Sequence, residues 1–135
     1  MTYPISEIAD IGPGDAERLK EAGIRTTIRL LEAAKGPRER KRLAERTGFS
    51  EKRLLGWANA ADRMRIKGVG GEYSSLLQAA GVDTVKELKY RNPARLAGAM
   101  AEANARRKLA RVLPGDRAVV RWIEQAKRIG LKITY

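Results

Sequence analysis

The sequence predicts an all-α protein of two tandem units, about 1–64 and 65–135, packed into one compact body with a short extended C-terminal tail. Three observations carry that expectation. Ala, Leu, Arg, Lys and Glu, all good helix formers, dominate the 135 residues. Glycines and small polar residues stand where helices would stop and start. A pattern also recurs 58 residues on: Ile8-Ala9-Asp10-Ile11-Gly12 is answered by Ile66-Lys67-Gly68-Val69-Gly70. The same offset pairs Leu19, Ala22, Gly23, Ile24, Thr26 and Leu30 with Leu77, Ala80, Gly81, Val82, Thr84 and Leu88.

The elements follow in chain order. Gly23 stops a first helix as a C′ glycine, and Thr26 opens the next as an N-cap. Gly36-Pro37 reads as a stop followed by a start, with proline at the first helical position. Gly48 and Ser50 repeat the stop and start. Leu54, Leu55, Ala58, Ala61 and Met64 then form an apolar stripe at helical spacing. In the second half Gly81 is the stop, and Thr84 with Glu87 spells a capping box. Asn92-Pro93 caps a further helix. Asp116 is the expected N-cap of the last one, whose stripe is Val119, Val120, Ile123, Ala126 and Ile129, and Gly130 its expected stop. Leu54-Leu55-Gly56-Trp57 resembles Val119-Val120-Arg121-Trp122 at an offset of 65, so the second unit carries an insertion. Trp57 and Trp122 read as core anchors. Only Leu131 to Tyr135 alternates as a strand would, and without a partner strand it should lie extended on the helices.

Composition narrows the chemistry. With no Cys there is neither a disulfide nor a thiolate site, and with no His neither Ser-His-Asp catalysis nor a His-ligated zinc. No Walker loop and no carboxylate cluster with metal-site spacing is present. The expectation is a non-enzyme without cofactor or metal. Met1 to Asp10 lacks the basic and apolar stretches of a signal peptide, and no apolar run approaches the ~20 residues of a membrane span. The reading is cytoplasmic, with no membrane partner and the oligomeric state open.

The 28 Lys and Arg against 16 Asp and Glu give a net charge of +12, which makes polyanions the first candidate partners. The charge is uneven. Residues 1–34 hold 4 basic and 6 acidic residues, a net of −2, whereas residues 35–67 and 68–135 each carry +7. The densest run is Lys35, Arg38, Arg40, Lys41, Arg42 and Arg46; in the second unit it is Arg106, Arg107, Lys108 and Arg111. Like charges at i, i+4, as in Arg38/Arg42 and Arg107/Arg111, do not help an isolated helix. Local stability therefore does not explain them, and the arginine fork suits phosphate.

Ile66-Lys67-Gly68-Val69-Gly70, followed by Leu76-Leu77 and Ala80-Gly81-Val82, resembles the helix-hairpin-helix motif. The chain as a whole resembles a bacterial family of unknown function built from tandem repeats of that kind. The resemblance implies a sharp turn at Gly68 and Gly70, Val69 as the plug of a two-helix core, and outward amides at the next helix's N-terminus that suit a phosphate oxygen. In the first unit the matching residues are Asp10, Ile11 and Gly12, so Asp replaces the first glycine. Neither hairpin is followed by a basic residue: Pro13-Gly14-Asp15 and Gly71-Glu72-Tyr73 stand there. The hairpins thus read first as architecture, with the amides of Gly68, Val69 and Gly70 as a secondary contact.

The expected function is a non-enzymatic, sequence-independent nucleic-acid-binding module, with double-stranded DNA first. It would touch phosphates through Arg38, Arg40, Lys41, Arg42, Arg46, Arg106, Arg107, Lys108 and Arg111. The alternative is a protein–protein adapter using the hairpin surfaces, where Tyr73 would mark the interface.

Overall fold

The computed structural model describes residues 2–135, which form eight α-helices after one 3-10 turn at Ile5–Glu7. The helices are α1 (Pro13–Glu21), α2 (Thr27–Ala33), α3 (Pro37–Thr47), α4 (Glu51–Arg63), α5 (Gly71–Ala79), α6 (Val85–Leu88), α7 (Pro93–Arg107) and α8 (Asp116–Arg128). Among the described residues no strand forms; the one β-type pairing is an isolated bridge between Pro4 and Thr26. The fold class is all-α.

Local chemistry accounts for most helix ends. The hydroxyls of Thr26, Ser50 and Thr84 and the side-chain oxygen of Asn92 accept backbone N–H bonds at the starts of α2, α4, α6 and α7. The capping box at Thr84 closes through Glu87, whose Oε1 accepts the Thr84 N–H at 3.0 Å. Helix α1 ends with Gly23 at φ 86°; its N–H bonds Lys20 O, and the Ile24 N–H bonds Leu19 O at 2.9 Å. The same pair of bonds ends α5 with Gly81 at φ 95°.

Two expected ends differ. Gly115, not Asp116, is the N-cap of α8, and Asp116 becomes its first residue, where a carboxylate meets the positive end of the helix dipole. Gly130 is not a left-handed stop: α8 closes at Ile129 in extended backbone, and the chain runs straight into the tail. The left-handed residue after α7 is Lys108, at φ 51°.

The buried apolar side chains fall into two clusters, one from Ile5 to Met64 and one from Ile66 to Ala126. Phe49 meets Trp57 edge-on at 4.8 Å in the first, and Tyr73 meets Trp122 at 5.4 Å in the second. Several contacts join the halves. Arg63 of α4 reaches Ser74 of α5 and the Asp83 carbonyl. Buried Asp62 accepts the Val85 N–H at the start of α6. The tail returns to the first half: the Thr134 N–H bonds Lys35 O at 2.8 Å, Ile133 packs on the first cluster, and the Tyr135 hydroxyl donates to Asn59. No helix among the described residues is long and apolar enough to cross a membrane.

Candidate nucleic-acid interface

Helix α3 starts at Pro37 and ends at Gly48, left-handed with φ 81°. Its inward stripe is Arg40, Leu43 and Thr47, all buried. That leaves Arg38, Lys41, Arg42 and Arg46 exposed, with Glu45 the one exposed acid among them. None of these four cations forms an ion pair among the described residues; Lys35, just before the helix, pairs with Glu32 at 3.6 Å. Arg46 donates through Nη2 to the Ala22 carbonyl at the end of α1.

Arg40 leaves the candidate set. It is only 5% exposed, and its guanidinium donates to the carbonyls of Ala34 and Thr134. A cation buried by its helical register, with its donors committed to backbone oxygens, has no free face for a phosphate.

The second set sits at the end of α7 and in the following turn. Arg106, Arg107, Lys108 and Arg111 are all exposed. Two of them are partly neutralised. Arg106 pairs with Glu102 at 3.5 Å, and Arg111 pairs with Glu72 at 3.4 Å while its N–H bonds the same carboxylate. The two sets occupy separate helices: the first borders α1 through Arg46, the second borders α5 through Arg111.

The turn at Gly68 to Gly70 is crowded from within the chain. Gly68 turns the chain at φ 95°, Val69 is fully buried, and α5 starts directly after Gly70. However, the Glu7 main chain lies against the start of α5, so close that a Cβ on Gly71 would collide with the Glu7 carbonyl oxygen. The Glu7 carboxylate is near too, 3.4 Å from that Cβ position. Glu7, Glu72 and Arg111 line the groove in front of Gly68, Gly70 and Gly71. The Val69 N–H is spent on the Ile66 carbonyl at 3.0 Å, and the Gly68 and Gly70 amides stand beside the Glu7 carboxylate and a Glu72 carboxylate already paired with Arg111. The competing residue, Glu7, is 61 positions before Gly68 and carries no local signal.

Sequence density also missed a third exposed set. Arg117, Arg121, Lys127 and Arg128 project from α8, and none forms an ion pair among the described residues. They are spread along the helix rather than contiguous, and the i, i+4 spacing of Arg117 and Arg121 was the available signal. Tyr73 is half-buried, its hydroxyl donating to the Val112 carbonyl at 2.9 Å, whereas Tyr90 is exposed.

One guanidinium stands apart. Arg63 is 2% exposed, and desolvation by burial pushes its guanidinium below the ordinary arginine value to about 10, against the raising influence of Asp83, Asp62, Asp10 and Glu87.

Residues 9–129 match the sequence model of a family described as Domain of unknown function (DUF4332). Comparison with curated proteins and with solved structures gives no match.

Proposed function

The chain belongs to the DUF4332 family, and from that premise we propose that it is a non-enzymatic module that binds nucleic acid, double-stranded DNA first, through phosphates and without reading sequence. The observation that carries this reading is the outer face of α3. Arg38, Lys41, Arg42 and Arg46 are exposed there without a carboxylate partner among the described residues. Arg107 and Lys108 add to it, and Arg106 and Arg111 contribute less because each already faces a glutamate. Helices of this kind supply charge without a set of polar readers for base edges.

In the same reading the architecture is two tandem helix-hairpin-helix-like units, 1–64 and 65–135. Supporting it, Gly12 and Gly70 are both N-caps, Gly23 and Gly81 are both left-handed, and Thr26 and Thr84 both cap, each pair 58 residues apart. The two buried clusters divide at the same point, between Met64 and Ile66. The hairpins serve the core in this account, and the helix surfaces serve the ligand.

The test is fluorescence anisotropy with a labelled duplex of about 25 base pairs at several salt concentrations. Contact with about five phosphates gives a slope of log K against log salt near −4.5. Binding should vanish when Arg38, Lys41, Arg42, Arg107 and Lys108 become Glu. Absence of binding at about 50 mM salt would defeat the proposal.

A second reading, a protein adapter, rests on the groove at the second hairpin, where Arg111 offsets one of two carboxylates. Glu7 and Glu72 flank it, Tyr73 lines it, and Val112 is 70% exposed at its rim. Loss of partner capture on Tyr73→Ala, with the basic faces intact, would identify that alternative.

A further inference from the structure

A small cavity lies between the two halves, bounded by the turn before α1 and by α4, α5 and the end of α7. Its volume is about 70 Å³, on the scale of two water molecules at ~30 Å³ each. Its polar lining is Asp10, Arg63, Ser74, Ser75, Gln78 and Arg107. Arg63 is the unusual member. A guanidinium this deeply buried ordinarily has a carboxylate against it, yet Arg63 forms no ion pair among the described residues. Its Nε and Nη1 bond neutral oxygens of Ser74 and Asp83. Nη2 takes no acceptor from any described residue. No side-chain nitrogen among the described residues is both sealed from solvent and unbonded, so Nη2 keeps some access, and Arg63 lines the cavity.

We propose that this cavity binds one small oxyanion of the phosphate class, held by the buried edge of Arg63 and the exposed guanidinium of Arg107, with Ser75 and Gln78 as neutral donors. The lining residues include two arginines and one carboxylate, Asp10, so their net charge is positive. A nucleoside is too large for it. A free phosphate ion and the terminal phosphate of a nucleic-acid strand share the required chemistry. The site does not depend on the surface cations of α3.

The experiment is titration calorimetry of the full chain with sodium phosphate, against sodium chloride at matched ionic strength. Saturable one-site binding is expected. Arg107→Gln should weaken it about tenfold, because a charge-assisted bond is lost. Asp10→Asn should tighten it severalfold by removing a like charge. Arg63 stays in place, since it also ties α4 to α5. The triple variant Arg38→Gln, Lys41→Gln, Arg42→Gln should leave the phosphate heat unchanged while weakening duplex binding, which separates this site from the α3 surface. A short 5′-phosphorylated oligonucleotide that competes where its 5′-hydroxyl form does not identifies a strand end as the source; competition by neither identifies free phosphate. No saturable heat, or heat that ignores both Arg107→Gln and Asp10→Asn, overturns the proposal.

Discussion

The Arg40 guanidinium, buried beneath α3, donates through Nη2 to the carbonyl oxygen of Thr134 at 2.8 Å, 94 residues away in sequence. Its Nη1 holds the Ala34 carbonyl at 3.0 Å. One side chain thus closes the end of α2 and pins the tail that returns from the second half. The neighbouring Arg42, two positions on, is exposed and free of such duties.

This contrast gives the first prediction. Arg40→Ala strands the buried Ala34 oxygen and should cost about 2–3 kcal/mol, read by urea unfolding. Arg42→Ala should change stability by less than about 0.5 kcal/mol yet weaken duplex binding. Equal stability losses in the two variants would contradict the assignment.

The tail and Arg40 should act as one unit. Removing residues 131–135 deletes the Thr134 bonds to Lys35 and Arg40, the Tyr135 bond to Asn59 and the Ile133 contact. A loss of about 2 kcal/mol is expected. Combined with Arg40→Ala, the total should fall short of the sum by about 1 kcal/mol, because the two changes break one shared bond.

Two glycines should respond in opposite directions. A Cβ on Gly71 meets the Glu7 backbone, which has little room to yield, so Gly71→Ala should lower stability by at least about 2 kcal/mol. Gly98, inside α7, has nothing within 4 Å of its Cβ position. Gly98→Ala should stabilise by about 0.5–1 kcal/mol through helix propensity alone. Thermal melts of the two variants decide both.

Arg63 makes stability depend on pH at the alkaline end. Its folded-state value of about 10 lies below the ordinary arginine value, so between the two the unfolded chain binds the extra proton. Stability from this group therefore rises as pH increases through about 10, and the cost of burying the charge is in full force below it. Subtracting Arg63→Met, measured in parallel, cancels other titrations. The wild-type advantage should be larger by about 1 kcal/mol at about pH 11 than at about pH 9. A difference that stays flat would contradict the burial account.

Much of the secondary structure was legible because its causes are local. Thr84 with Glu87, Asn92 before Pro93 and the left-handed Gly23, Gly48 and Gly81 each satisfy or end a helix within a few residues of themselves. The exposed cations of α3 were legible as well, though treated as a contiguous run. Their helical register, with Arg40 three residues before Leu43 and seven before Thr47, already marks Arg40 as the inward one.

The sequence by itself determined the helices, their caps and the surplus of positive charge, since these follow from neighbours in the chain. Only the tertiary structure decided that Glu7 stands at the start of α5, that Arg40 is spent on Thr134, and that Arg63 lines a cavity with no ion pair among the described residues. Each of those facts joins residues far apart in sequence, and the availability of a charge depends on which distant group reaches it first, a matter of packing geometry that no local pattern encodes.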